Sequence, residues 1–558
     1  MVINSTSETI HLPLKIGLIS VSTHVSSYVL DILTWAKNEP NIELNYYIHQ
    51  ISLTESPKIK SRVLRFFHLV KKNGLKQTIS HFLFLALKWC ENLSLKRNEA
   101  FKNHLNSYNI LDFGLTEIKI TPIVLQSENL HQFSDEDINK IKSLGLDLLL
   151  RVGPAIIEES ILKVAKFGII SLYHGDNLNY RGGPEGFWEV LNGEDSTGFV
   201  IKRPTKEIGV EEVCFRGYRK TKGYWLVNQA CIYTKANYYL KEFIKNLAKT
   251  QKLPPCLPHF PYSNRLYKNP GFWDILRYIK KILVIKISSI ITSKPLWHVA
   301  FVHSDWRAAA LWRGIDLPML PGKGLADPFV YSREGRDYCF VEEIDSASTI
   351  GSIAVYELFL TYAVRLGTAC EEPFHLSFPY LFHYDDQVFM LLESHQNHDI
   401  RIYECMDFPL QWKLKHILMS NISAADSLLI NKENKWWLIT NIDHWNDEDH
   451  CEEMTIFSAD SPFSSEWIPH PLNPIYADAS RSRNGSFFIS ENKFYRVSQT
   501  HGIGIYGKSV VINEITNLTE DSFQEIRIVE IFPRFKKNIL GTHHFHTNGS
   551  ITVFDYYK

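Results

Sequence analysis

Two groups of polar residues stand where strands are expected to end. The first follows the apolar run GIISLY (168–173), which continues through His174, Gly175, Asp176 and Asn177 to Arg181-Gly182-Gly183-Pro184. Sites in doubly wound sheets form where such strands end at their carboxyl edge, so this strand marks the expected pocket. Ser171, Tyr173, His174, Asp176, Asn177 and Arg181 are its candidates, and they offer hydroxyl, imidazole, carboxylate and guanidinium groups for proton transfer and anion binding. The second group lies downstream. Asp327 and Asp426 begin apolar strands, Glu343 and Glu393 end the strands that follow, and Arg481 and Arg483 come after Asp478. His543, His544 and His546 fall within GTHHFH. Alternate residues of a strand share a face, so these histidines could bracket a metal. A polar wall with one or two buried imidazoles is the plainer alternative, and no metal is assigned. Asp327-Pro328 is likewise open to a second reading, as a turn device at a strand start.

The elements that position the first group read as an α/β domain over 1–250. LKIGLISVS (14–22) is a continuous apolar run of the kind buried in a parallel sheet, with a helix expected from Ser26 or Ser27. NIELNYYIHQ (41–50), ITPIVLQ (120–126), LDLLLRVG (146–153) and GIISLYH (168–174) are further strands, and Ser134-Asp135-Glu136-Asp137 starts a helix. Strand and helix alternating in this way predict a doubly wound sheet. Residues 58–102 interrupt it with Lys- and Arg-rich amphipathic sequence, read as an inserted helical hairpin or as a surface resting on anionic membrane. Residues 251–297 are a Pro-rich linker and a connecting helix, whose apolar and basic stretch 272–291 has the same two readings.

The second group belongs to a repeat. From 298 to 558 a small or polar start, an apolar strand, a turn and an aromatic-rich strand recur, beginning at 326, 376, 424, 477 and 541. A period of roughly 50 residues fits a blade of four antiparallel strands, so five copies predict a five-bladed β-propeller. A ring of Asp, Glu, Arg and His around its funnel suits a hydroxyl-rich or anionic ligand better than an apolar one.

The segment from Gly168 to Arg203 resembles the core of the formyltransferase family that uses 10-formyltetrahydrofolate. Arg181-Gly182-Gly183-Pro184, Trp188 and Thr197-Gly198 keep that family's frame and spacing. The resemblance covers roughly residues 10–240 and implies a formyltransferase-like fold, with 10-formyltetrahydrofolate as the expected cofactor. It also implies an altered site: Ser171, Tyr173 and Gly209 occupy the columns where the family carries Asn, His and Asp. His174, oriented by Asp176 on a bulged strand end, is the expected replacement for the lost His. Glu207, Glu211 or Glu212 would replace the lost carboxylate. The stretch from Gly322 to Glu343 is similar to the first blade of arabinanase- and xylosidase-type glycoside hydrolases. It is also similar to the N-terminal region of plant glucosamine inositolphosphorylceramide transferases. The hydrolases place carboxylates at the funnel; Asp327 matches the first, but blade two offers Ser377-Phe378-Pro379 without an Asp.

Composition narrows the function classes. A net charge of −1 over 558 residues argues against a nucleic-acid partner. Eight cysteines without paired spacing form no disulfide framework, and no apolar run reaches the length of a membrane span, so a cytoplasmic address is expected. Peripheral contact with the inner face of the membrane would run through 58–102 and 272–291. The expected activity is a carbohydrate-directed transferase of surface polysaccharide or glycolipid synthesis, acting on a sugar or a nucleotide- or lipid-linked sugar. A catalytically eroded sugar-binding protein and a propeller glycosidase are the alternatives.

Overall fold

Every residue of Leu14–Ser20 except Lys15 is buried, as a central strand of a covered parallel sheet requires. The computed structural model describes residues 12–51, 70–71, 74–125, 130–153, 156–157, 159–176, 178–205, 211–258, 260–291, 296–444 and 449–558. They form two compact units. One holds 1–193, 197–217 and 222–285; the other holds 194–196, 218–221 and 286–558.

In the first unit β1 (Leu14–Ser20) leads through α1 (Ser27–Asn38) to β2 (Ile42–Gln50). After α2 (Leu75–Leu95) comes β3 (Thr116–Ile120). β2 pairs parallel with β1, and β3 parallel with β2. The chain then returns to the other side of β1. α3 (Asp135–Lys142), capped by Ser134 Oγ accepting from Asp137 N at 3.2 Å, precedes β4 (Leu148–Val152), which pairs parallel with β1. β5 (Ile169–Tyr173) runs parallel to β4. α4 (Phe187–Asn192) is followed by β6 (Ser196–Pro204), antiparallel to β5, and then by β7 (Glu211–Lys220). The order is β7-β6-β5-β4-β1-β2-β3, a doubly wound arrangement whose direction of winding reverses between β1 and β4.

α5 (Trp225–Thr250) and α6 (Phe272–Ile291) complete the helices that matter here. Ile19, Ile48, Leu149 and Ile169 of the sheet meet Ile138 and Ile141 of α3 in one apolar cluster. A second gathers Phe84 of α2, Phe187 and Trp188 of α4, Trp225 of α5 and Ile275 of α6. Of the hairpin expected over 58–102, α2 is the part seen; residues 58–69 and 72–73 lie outside the described residues.

The second unit is a five-bladed β-propeller. Blade one runs Lys323–Arg333, Arg336–Asp345, Gly351–Leu358 and Ala363–Cys370 from the axis outwards. Blades two, three and four start with the inner strands Ser377–Tyr384, Ala424–Lys432 and Asn484–Ser490. In blade five the last two strands, Phe545–Thr547 and Thr552–Tyr557, are joined by Trp297–Val302 and Ile315–Asp316 from the start of the unit. The short last copy in the sequence is thus a blade completed by its opposite terminus, which leaves no open edge at the seam. The five inner strands contact one another in a closed ring.

Inner strands share a device. Register shifts between Ala326 and Phe329, Ser377 and Tyr380, and Ala425 and Leu428 mark the same bulge in blades one to three. The bulged residues Asp327, Phe378 and Asp426 have φ of 49°, 53° and 47°. Aspartate tolerates that left-handed geometry far better than a bulky side chain does, so Phe378 carries strain at this site. Blade four shifts register between Asn484 and Ser486, with Gly485 in the same place.

Candidate functional site

In the α/β unit, register builds a row of polar groups across three buried strands. Arg151 of β4 stands directly opposite Ser171 of β5, and Ser171 opposite Lys202 of β6. Directly opposed residues share a face, so all three point the same way. Arg151 Nη2 donates to Ser171 Oγ at 3.4 Å and to Glu211 Oε1 at 2.7 Å. Lys202 Nζ donates to the other Glu211 oxygen and lies 4.8 Å from the centre of the Tyr173 ring. Burial opposes the Glu211 charge, but Lys202 and Arg151 outweigh it and hold its carboxyl below the usual range. Burial, with Arg151 and Arg181 adding repulsion, draws Lys202 below the usual lysine range despite Glu211. Two cations, Arg151 and Lys202, thus converge on Glu211.

Tyr173 frames the row. Its hydroxyl donates to Gly182 O at 3.1 Å and accepts from Gly182 N at 3.0 Å. Arg181 lies over the Tyr262 ring, its guanidinium carbon 4.4 Å from the centre, and its backbone N donates to Tyr262 Oη at 3.0 Å. Gly182 sits at φ 96°, and a Cβ there would meet Tyr267 O at 2.1 Å. Gly182→Ala is therefore expected to cost about 2–3 kcal/mol in urea unfolding of this unit. Gly183→Ala, where nothing lies within 4 Å of the added carbon, is the neutral control.

Two expectations at this strand end are corrected, for His174 and for Asp176. β5 pairs regularly with β6 through Tyr173, without a bulge, so His174 turns to the face opposite Ser171 and Tyr173. There its ring stacks on Tyr233 at 3.6 Å, its Nε2 has no hydrogen-bond partner among the described residues, and burial draws its pKa down to about 3. Asp176 does not orient that imidazole. Its carboxylate accepts from Leu178 N at 2.9 Å, Asn179 N at 2.8 Å and Asn179 Nδ2 at 2.9 Å, closing the turn that follows β5. Glu207, like Asn177, lies outside the described residues; of the other two glutamates considered, Glu211 is in the row and Glu212 pairs with Arg203.

At the propeller axis the bulged residues meet the ends of the second strands. Arg483, just ahead of the fourth inner strand, donates through Nη2 to Asp426 Oδ1 at 3.1 Å and Glu393 Oε2 at 3.4 Å, and through Nε to Asp426 Oδ2. Asp426 N donates to Glu393 Oε2 at 3.0 Å, and Gln499 Nε2 to Asp426 Oδ2 at 2.9 Å. His395 Nδ1 lies 2.7 Å from Glu393 Oε1. Burial opposes the Glu393 charge, yet His395 and Arg483 hold its carboxyl well below the usual range. Burial, with Glu393 and Asp327 adding to it, pushes Asp426 above the usual range against the pull of Arg483.

Across the axis His543 stands between two carboxylates, Nε2 at 3.2 Å from Asp327 Oδ1 and Nδ1 at 2.8 Å from Asp555 Oδ2. His544 Nδ1 is 3.4 Å from the same Asp327 oxygen. Burial disfavours the imidazolium, but Asp555 and Asp327 outweigh it and push the His543 pKa up to about 10. Asp327, His543 and Asp555 bring one ligand atom each within 4.8 Å of one another, a set that could hold a cation in place of the imidazolium protons.

Two sequence candidates move by small steps in register. Glu393 pairs with Ser377, and its counterpart in blade one, pairing with Ala326, is Glu342 rather than Glu343. Glu342 contacts His375 Nε2 at 2.9 Å, whereas Glu343 faces the other way and takes both Arg365 nitrogens at 2.9 and 3.0 Å. Arg481 is half exposed, pairs with Asp478 and covers Tyr476; the arginine at the axis is Arg483. Asp327, Glu393, Asp426 and His544 lie in the axial cluster. Arg151, Lys202, Glu342 and Gln499 were not anticipated. A lone Arg in LLLRV, inside an otherwise apolar strand, is a readable signal for the first; Lys202 follows an apolar run but stands beside Arg203 and is less distinct.

Comparison with known proteins bears on the propeller. The profile of the glucosamine inositolphosphorylceramide transferase 1 N-terminal region matches residues 316–547, which hold four whole blades and the inner strand of the fifth. Glucosamine inositolphosphorylceramide transferase 1 of Arabidopsis thaliana is 32% identical over 222 residues, 38% of this chain and 28% of that protein. The protein of the same name from Oryza sativa subsp. japonica is 32% identical over 213 residues, 37% and 28% of the two chains. The chain thus spans about 28% of the length of these curated relatives. Among solved structures, Zg3597, a family 117 glycoside hydrolase from Zobellia galactanivorans, has 11% identity and a TM-score of 0.31, covering 48% of this chain and 92% of its own. The catalytic domain of Coprinopsis cinerea GH62 α-L-arabinofuranosidase has 10% identity and a TM-score of 0.31, covering 48% and 98%.

Proposed function

We propose that the chain is a carbohydrate-directed transferase of glycolipid or surface-polysaccharide synthesis. In this reading the α/β unit holds a phosphate-bearing activated sugar, and the propeller binds the sugar acceptor. The observation that carries it is the in-register row of Arg151, Ser171 and Lys202, which sets two cations side by side in a buried wall with Glu211 between them. Cations held in a low-dielectric wall favour an anion such as a nucleotide pyrophosphate, and a planar guanidinium is suited to it. The relatives matched over the propeller are named for transfer involving glucosamine and inositolphosphorylceramide, which supports a sugar-bearing partner for that unit. The formyltransferase-like frame is kept in this reading with its chemistry changed. Ser171 and Tyr173 replace the amide and imidazole of that family, and Lys202 with Glu211 replaces its carboxylate.

The test is equilibrium binding of a nucleotide-sugar panel and of a stable 10-formyltetrahydrofolate analogue to wild type, Lys202→Met and His174→Ala. Nucleotide-sugar binding weakened about ten- to hundredfold by Lys202→Met and little changed by His174→Ala is the expected result. Folate binding that depends on His174 would instead restore formyl transfer. Binding of neither class would make this a sugar-binding protein without transfer chemistry.

A further inference from the structure

α2 and α6 lie on one core. Phe84 and Leu95 of the first and Ile275 and Tyr278 of the second join the same apolar cluster, and the Tyr278 hydroxyl donates to Glu91. The other Glu91 oxygen accepts from Leu226 N at 2.8 Å. With their inner faces satisfied, both helices still present apolar residues outwards.

On α2 these are Leu75, Ile79, Phe82, Trp89 and Leu93, spaced three, four and seven apart along one stripe and 42–63% exposed. On α6 they are Trp273, Leu276, Leu283 and Val284, 42–67% exposed. Scattered exposed leucines need no explanation, but nine large apolar side chains on two neighbouring stripes do. The exposed charges on these faces are mostly positive. Arg277 and Lys280 stand exposed among the apolar residues of α6. Of the acids of the two helices, Glu91 points inwards to Tyr278, while Asp274 accepts from Gly271 N at 3.0 Å and lies 3.9 Å from Arg277 Nη1, leaving Lys280 without an acid from either helix beside it among the described residues.

We propose that the outer faces of α2 and α6 seat the chain on an anionic bilayer surface. Apolar stripes with tryptophans, flanked by more cations than acids, match the boundary between acyl chains and negative headgroups. A second copy of the same face is a poorer occupant, because a two-fold contact would bring Arg277 and Lys280 towards their own kind. No helix among the described residues is long and apolar enough to cross a membrane, so the contact lies along the surface.

Sedimentation of the full chain with phosphatidylcholine vesicles, with and without phosphatidylglycerol, tests this. We expect binding to the mixed vesicles that is at least about tenfold weaker on phosphatidylcholine alone and falls with added salt. Trp89→Ser with Trp273→Ser should abolish it, and Arg277→Gln with Lys280→Gln should remove the preference for the anionic lipid. These side chains are exposed, so the variants should fold. Absence of vesicle binding, or binding unchanged by the tryptophan pair, overturns the proposal. So does a dimer in sedimentation equilibrium that Trp89→Ser dissociates while vesicle binding stays absent, since that assigns the face to a second copy.

Discussion

Arg483→Met will destabilise the propeller by about 3–5 kcal/mol, the usual cost of removing one partner from a buried ion pair. The side chain is 9% exposed, and its guanidinium is the cation that Asp426 and Glu393 share. Without it two buried carboxyls face each other, and Asp426 N still donates to Glu393 Oε2. For a unit of this size the melting temperature should fall by roughly 10 °C. The deficit should narrow between pH 7 and pH 4, because protonating the stranded carboxyls relieves their repulsion. Arg483→Lys keeps the charge but loses the fork, so it should fall between wild type and the methionine variant. Thermal unfolding of the three proteins across that pH range is the measurement. A methionine variant within about 1 kcal/mol of wild type would mean the axial pairing contributes nothing.

The fourth blade is held for this purpose by a second arginine. Arg496 is fully buried and donates to both Glu525 oxygens at 2.8 and 2.7 Å. Nη2 also donates to Arg481 O at 3.0 Å, and Nη1 donates to Asn484 Oδ1 at 3.1 Å. It therefore fixes the segment carrying Arg483 and acts as a positioning residue for the axial cluster.

The propeller was legible in the sequence because its signal repeats. Ala326-Asp327-Pro328-Phe329, Ser377-Phe378-Pro379-Tyr380 and Ala425-Asp426-Ser427-Leu428 start successive inner strands with the same bulge. Blade four hides its start: the repeat reads from 477, but the inner strand begins at Asn484, with Gly485 at the bulge. Which of two neighbouring residues faces the axis is set by register, and a bulge resets register. Hence Glu342 stands at the axis where the sequence points to Glu343, and of Arg481 and Arg483 it is Arg483 that reaches the cluster. In the α/β unit the strands could be read from apolar runs, while the row of Arg151, Ser171 and Lys202 depends on pairing between strands far apart in sequence. His174 was misplaced for a related reason. Its side depends on whether β5 ends straight or bulged, and its own residues do not specify that.

The His543 imidazolium predicts how propeller stability changes with pH. Its folded pKa of about 10 lies above the unfolded value of 6.5, so the folded state holds the proton more tightly. The stability it contributes is present in full below pH 6.5 and is lost as pH rises towards 10. Asp327 has the opposite sign: burial opposes its charge, but the neighbouring His543 and His544 outweigh it and depress its pKa. Its contribution is present above the unfolded carboxylate value and is lost as pH falls through the depressed one. His375, pushed up to about 9 against burial by Glu342, adds to the loss on the alkaline side. The expected result is a wild-type unfolding free energy that falls by a few kcal/mol from pH 6.5 to 10. In His543→Gln that slope should be much shallower, so the gap between the two proteins closes as pH rises. Denaturant midpoints of the propeller transition at pH 6, 8 and 10 would show it. Parallel pH profiles for wild type and variant would mean that His543 sits neutral between Asp327 and Asp555. A cation would then have to balance the two carboxylates, and adding a chelator to the wild type would distinguish that case by lowering its midpoint at every pH.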